Sequence, residues 1–181
     1  FKGRDVERIL NRVCANNVSV PVGKVVYTQW LNERGGIEDD LTVTRIEEEA
    51  YLIVTSCTQQ TRDYYWLKSH IPDGANAFLT DITSGYAMLG LMGPQAREVL
   101  SKITNADLSN EAFAFGTSKE IEAGYGIVRA SRITYMGELG WELYMPAEFM
   151  GGVFDSVMAA GADHGLKLAG YHAVNSLRME K

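Results

Sequence analysis

Val22-Gly23-Lys24-Val25-Val26-Tyr27-Thr28-Gln29-Trp30-Leu31, then Asn32-Glu33-Arg34-Gly35-Gly36, then Ile37-Glu38-Asp39-Asp40-Leu41-Thr42-Val43-Thr44-Arg45-Ile46: this stretch decides the fold class. Two runs rich in Val, Thr and aromatic residues flank a Gly-Gly turn, so residues 22–31 and 40–46 are predicted to pair as a hairpin. Tyr51-Leu52-Ile53-Val54-Thr55 extends it into a meander. Side chains alternate across a strand, so Leu41 and Val43 claim one face and Asp40, Thr42 and Thr44 share the other. On a face that lines a cleft, Asp40 stands beside a ligand, with Glu38 and Asp39 at the turn. The alternative is a solvated acidic turn.

Upstream, residues 5–14 place Val6, Ile9, Leu10 and Val13 at helical spacing, an amphipathic stripe that requires a partner. Downstream, residues 58–69 carry helix formers and aromatics and predict a helix burying Tyr65 and Leu67. A second half follows. Residues 84–92 read as a strand, Gly93-Pro94 breaks it, and residues 95–103 have the apolar spacing of a helix with proline near its first turn. Residues 126–135 and 141–145 read as strands joined by a tight turn at 136–140. Residues 149–165 read as a helix with Phe154, Val157 and Met158 on its buried side. Strand-rich halves with segregated helices make the class α+β: mixed antiparallel sheets with flanking helices in two packed subdomains that leave a cleft. Residues 170–181 stop in mid-pattern, without the Gly or Asn that commonly closes a helix. The chain is therefore expected to be a piece of a longer protein, truncated at both ends.

Composition narrows the function. With 181 residues, 46% of them hydrophobic and 22% charged, the chain has enough apolar surface to fold. Its net charge of −6, with no Lys/Arg run, repels phosphate backbones, so no nucleic-acid partner is expected. No stretch reaches the roughly 20 apolar residues of a spanning helix, so no membrane partner is expected either. Cys14 and Cys57 lie far apart with no histidine at ligand spacing, which reads as buried free thiols in a reducing compartment, with neither disulfide nor metal. His70, His164 and His172 each stand alone, and Gly85 and Gly90 form no dinucleotide fingerprint.

Two further constellations carry chemistry. Tyr135-Met136-Gly137-Glu138-Leu139-Gly140-Trp141-Glu142 presents a carboxylate where glycine permits close approach. Glu138 there is either an acceptor for a planar N–H/NH₂ edge, as in guanidinium or a 2-amino-4-oxo pterin ring, or an exposed glutamate beside a core Trp141. Arg178, in the apolar run Leu177-Arg178-Met179, calls for a carboxylate from either the protein or a ligand.

Taken as an ordered set, these motifs resemble the aminomethyltransferase family of the glycine-cleavage T-protein. The residues that carry the resemblance are Gly35-Gly36-Ile37-Glu38-Asp39-Asp40-Leu41-Thr42-Val43, Leu89-Gly90-Leu91-Met92-Gly93-Pro94-Gln95-Ala96, the 135–142 segment, Leu168-Ala169-Gly170-Tyr171 and Ser176-Leu177-Arg178-Met179-Glu180. Val25-Val26-Tyr27-Thr28 and Gly137-Glu138-Leu139-Gly140-Trp141-Glu142-Leu143 are most similar to the folate domain of sarcosine and dimethylglycine dehydrogenases. The resemblance implies a tetrahydrofolate-binding domain over residues 1–181. It would take a one-carbon unit from a small amine or iminium donor and form 5,10-methylenetetrahydrofolate. It implies Asp40 as the functional aspartate, Tyr135 and Glu138 as pterin-pocket residues, Arg178 as the arginine meeting the folate tail, and Tyr27 and Ser56 as pocket lining. Ser56 replaces the asparagine typical of the T-protein itself, which favours the dehydrogenase branch. FAD is then expected only in a separate oxidoreductase domain of the same chain, in a bacterial cytoplasm or mitochondrial matrix. The rival readings are a glycine-cleavage aminomethyltransferase, a folate-dependent demethylase and a non-catalytic regulatory relative.

Overall fold

The computed structural model describes all 181 residues, which divide into two compact units, Phe1–Asp81 and Ile82–Lys181. In the first unit, helix α1 (Val6–Val13) is followed by strands β1 (Val25–Leu31), β2 (Ile37–Glu47) and β3 (Ala50–Val54), then helix α2 (Gln60–Ser69). The strands form an antiparallel meander in chain order, with Val26 opposite Val43 and Thr28 opposite Leu41. The turn is built by Asn32, whose Oδ1 accepts the backbone N–H groups of Arg34 (3.0 Å) and Gly36 (2.9 Å), while Gly35 takes a φ of 76° that a β-carbon resists.

Helix α1 buries Val6, Ile9, Leu10 and Val13 as its spacing predicts. Val6, Leu10 and Val13 pack with Trp30, Leu41, Val43, Tyr51 and Leu67 in one apolar cluster. The Trp30 ring stacks on Trp66 of α2 at a centroid distance of 4.9 Å. Two expectations fail here. Tyr65 is exposed, and the buried residues of α2 are Leu67 and Asp63. Asp39 does not sit at the turn. Strand β2 begins at Ile37, so the alternation that buries Leu41 and Val43 also turns Asp39 inward, opposite Trp30. Glu38 is the extra residue of a bulge between those two pairings.

The second unit carries β4 (Tyr86–Met92), helix α3 (Ala96–Ser101), β5 (Ser118–Ala123), β6 (Gly126–Ser131), β7 (Gly140–Pro146), helix α4 (Met150–Gly161) and helix α5 (Tyr171–Arg178). Its antiparallel sheet has the order β4-β7-β6-β5. One face supplies Leu91, Ile121, Val128, Ala130, Trp141, Leu143 and Met145 to a core closed by Val99, Leu100, Phe113, Val153 and Val157. The other face bears Tyr86, Met88, Glu120, Glu122, Arg129, Glu142 and Tyr144. Strand β5 is absent from the sequence reading, although Ile121 and Ala123 alternate with Glu120 and Glu122 just before the Gly124-Tyr125 turn.

Three further expectations are corrected. Strand β6 ends at Ser131, so residues 132–139 form a longer connection rather than a tight turn. Arg132 still exchanges backbone hydrogen bonds with Thr117 and Gly116, which turns the chain away from β7. Helix α4 buries Val153, Val157 and Ala160, whereas Phe154 and Met158 lie at the half-buried edge. The thiols are not a buried pair: Cys57 is exposed and Cys14 half-buried, with burial pushing the Cys14 thiol up to about 11.

Candidate functional site

In the first unit, Tyr27 and Asp40 meet on the solvent side of the meander. Tyr27 pairs with Thr42 and Gln29 with Asp40, so the two side chains are diagonal neighbours on one face. The Tyr27 hydroxyl donates to Asp40 Oδ2 at 2.5 Å. A phenol donating to a carboxylate fixes its rotamer, and Asp40 is exposed on this face. Ser56, exposed just beyond β3, shares a 3.0 Å hydrogen bond with the Thr58 hydroxyl.

In the second unit, the 132–139 connection meets helix α5. The Arg178 guanidinium lies over the Tyr135 ring, 4.8 Å from its centroid, and the Tyr135 hydroxyl donates to Asn175 Oδ1 at 2.9 Å. The carboxylate expected for Arg178 is replaced by this aromatic face, which leaves the edge of the guanidinium available to an anion. Glu138 pairs with Lys181 Nζ at 2.9 Å, with the lysine exposed and the glutamate half-buried. A pair so placed contributes about 0.2–1 kcal/mol and opens readily to a competing partner. Gly137, with φ 79°, makes the bend that presents Glu138.

Sequence reasoning gave three carboxyls no functional part: it placed Asp39 at the turn and left Asp63 and Glu142 without a role. Asp39 and Asp63 are 4% and 3% exposed and lie beside each other. Burial first, then the adjacent Asp63 charge, pushes the Asp39 carboxyl up to about 6. Glu142, half-buried on β7, accepts a short hydrogen bond from Tyr144, and burial raises its carboxyl above the usual range. Glu142 was visible in the motif, but its neighbours were not. A cleft of about 570 Å³ also opens on the helix-free sheet face, walled by Tyr86, Glu120, Glu122, Arg129, Tyr144 and Phe149. It contains none of the residues singled out from the sequence.

These features define an α+β protein of two sheet-and-helix units, each with an aromatic side chain braced against a charged one. The chain belongs to the GCVT N-terminal domain family, whose model matches residues 1–181. It is 40% identical over 99% of its length to 4-methylaminobutanoate oxidase (formaldehyde-forming) of Paenarthrobacter nicotinovorans, covering 22% of that protein. It is 36% identical over 99% of its length to the mitochondrial pyruvate dehydrogenase phosphatase regulatory subunit of Mus musculus, covering 20% of it. It is 37% identical over 99% of its length to the mitochondrial sarcosine dehydrogenase of Homo sapiens, covering 21% of it. The chain thus spans about a fifth of the length of these curated relatives. Among solved structures, the glycine cleavage system aminomethyltransferase T from Bartonella henselae matches with a TM-score of 0.82 at 25% identity, over 99% of this chain and 46% of that one. The α+β class and the family resemblance read from the sequence are those of this fold.

Proposed function

We propose that this chain is the tetrahydrofolate-binding portion of a one-carbon transferase. In this reading it receives carbon as an aminomethyl or iminium adduct of a small amine and forms 5,10-methylenetetrahydrofolate. It works within a longer protein that carries an FAD-dependent oxidoreductase domain, in a bacterial cytoplasm or a mitochondrial matrix. The observation that carries the reading is the Tyr27–Asp40 hydrogen bond, which holds an exposed carboxylate on the strand face of a chain in this family.

The donor set suits the proposed ligand. A folate presents a flat N–H/NH₂ edge at one end and carboxylates at the other. Glu138 accepts from the edge once its pair with Lys181 opens, and Arg178, braced on Tyr135, donates to a tail carboxylate. Tetrahydrofolate supplies, when bound, the amine nitrogen that receives the carbon. Asp40 orients that amine, takes up the proton it releases and stabilises the positive charge on the incoming carbon, while Tyr27 keeps the carboxylate in one rotamer. Ser56, exposed just beyond β3, belongs to the same unit as Asp40 and is proposed as a further contact for the ligand. Holding donor and acceptor together makes the transfer effectively unimolecular and limits escape of the carbon as formaldehyde.

The test is a titration of the full-length protein with tetrahydrofolate, followed by mass analysis of the folate product. Saturable binding weakened by Arg178→Ala, with a methylene product lost in Asp40→Asn, is the expected result. A methyl product points to a demethylase, ammonia release from a lipoyl-linked donor to glycine cleavage, and absence of any binding to a folded protein sinks the reading. The match to a phosphatase regulatory subunit supports a second reading, a regulatory module, which unaltered turnover in Asp40→Asn would favour.

A further inference from the structure

Asp39 of β2 and Asp63 of α2 pose a chemical puzzle. Each has one carboxyl oxygen provided for: Gln59 Nε2 reaches Asp39 Oδ1 at 3.4 Å, and Arg62 Nη1 reaches Asp63 Oδ1 at 3.4 Å. The other oxygen of each, Oδ2 in both cases, is buried with no hydrogen-bond partner. Two ionised carboxylates cannot serve each other, since both only accept. One proton placed between them supplies the missing donor to both oxygens at once.

The charge inventory around the pair agrees. From β2 come Glu38, Asp39 itself and Asp40; from α2 come Asp63 and Arg62; β1 presents the uncharged Trp30 indole. Arg62 is the one cation, and it is already engaged by the Glu38 carboxylate and carbonyl and by the Gln59 side chain. A single guanidinium divided between Glu38 and Asp63 does not neutralise a third buried carboxylate. Asp63 lies in the first turn of α2, and Arg62 touches it directly. Asp39 has no such contact.

We propose that Asp39 and Asp63 share one proton at pH values where ordinary carboxyls are ionised, the proton residing on Asp39 and donated to Asp63 Oδ2. Asp63 is the positioning residue that keeps the proton there. The pair acts as a neutral-acid clasp between β2 and α2, with one proton and one negative charge in total, and it opens when the proton is lost. Desolvation and like charge push the Asp39 carboxyl in the direction the clasp requires. Its neighbour Asp40, whose side chain points to the other strand face, then stands beside a neutral acid rather than a second charge. The inference rests on packing within the first unit and holds whether or not the chain binds folate.

Infrared spectroscopy of the full-length protein tests it, because a neutral carboxylic acid absorbs apart from a carboxylate. At about pH 5, above the ordinary aspartate range, the expected result is a carboxylic-acid band in the difference spectrum of parent minus Asp39→Asn, in which the raised Glu142 carboxyl cancels; this component is absent from Asp39→Asn. In Asp63→Asn the same band is expected to titrate away at lower pH, because the amide cannot carry the negative charge that holds the proton on Asp39. Asp39→Asn imitates the protonated acid by donating from Nδ2, so it folds and loses the pH dependence of the clasp even where Asp63→Asn fails to fold. If no such band exists at about pH 5, or if it survives in Asp39→Asn, the two oxygens are served by a water or a cation and the shared proton is wrong.

Discussion

The Tyr27 hydroxyl and Asp40 Oδ2 lie 2.5 Å apart, although their residues face Thr42 and Gln29 rather than each other across the strand pair. The contact exists because the right-handed twist of paired strands brings diagonal neighbours on one face within reach of a long aromatic side chain. It ties the exposed acidic strand to β1. Both side chains are exposed, so water competes for the bond and it contributes little to global stability.

Tyr27→Phe removes that hydroxyl and keeps the ring. We expect a loss of transfer rate of about tenfold, corresponding to about 1.4 kcal/mol, with a thermal midpoint close to that of the parent. Single-turnover kinetics of the full-length protein, beside a melting curve, separate the two. An unchanged rate would mean that Asp40 needs no brace.

Arg178→Lys keeps the charge but loses the flat guanidinium that stacks on Tyr135. The expectation is weaker tetrahydrofolate binding by about tenfold, nearly as severe as in Arg178→Ala. Tyr135→Phe, which keeps the ring and gives up only the Asn175 hydrogen bond, should be much milder. Calorimetric titration of the three variants checks the order, and equal effects of Lys and Phe would contradict it.

The pH dependence of stability has a determinable sign. Asp39 binds its proton more tightly folded, at about 6, than unfolded, near 3.8. Its contribution is therefore full below about pH 4 and is lost as pH rises through about 6, amounting to about 1–3 kcal/mol. Asp5, held low chiefly by the Asn76 N–H, and Glu7, held low chiefly by the Ser19 hydroxyl, act in the opposite sense and destabilise as pH falls through their folded values. Denaturant midpoints between about pH 4 and 7 should fall with rising pH in the parent and flatten in Asp39→Asn. A parent whose stability rises across that window would contradict the assignment.

Gly137→Ala places a β-carbon where φ is 79° and where the Lys181 side chain lies 3.1 Å away. It should cost about 1 kcal/mol in stability and displace Glu138, lowering folate affinity without touching a core residue. Gly151→Ala, at an exposed position of helix α4 with nothing within 4 Å, is the control and should be neutral or slightly stabilising. The denaturation midpoint and the binding constant, measured on both variants, decide the matter.

Much of the architecture is legible in local pattern. The period that buries Val6, Ile9, Leu10 and Val13 is a property of α1 alone, and the Gly-Gly turn between two β-rich runs already implies the β1–β2 hairpin. Errors arise where an apolar-looking residue lies just off the buried stripe of its helix. Tyr65 and Met158 fit a helical stripe, but the sheet surfaces beneath them are taken by Leu67, and by Val157 and Ala160. Strand β5 was readable from its alternation and was obscured by its three charged residues, Lys119, Glu120 and Glu122.

By itself, the sequence determined the α+β class, the family, the β1–β2 hairpin and the placing of Asp40 on the face opposite Leu41 and Val43, because side-chain alternation and turn chemistry act over a few residues. Tertiary structure alone decided which acidic groups are abnormal. Asp39 and Asp63 look like any surface aspartates in the chain, and Arg178 looks like a residue awaiting a carboxylate. Their real partners come from elements distant in sequence, and the cost of burying a charge depends on what those elements bring beside it.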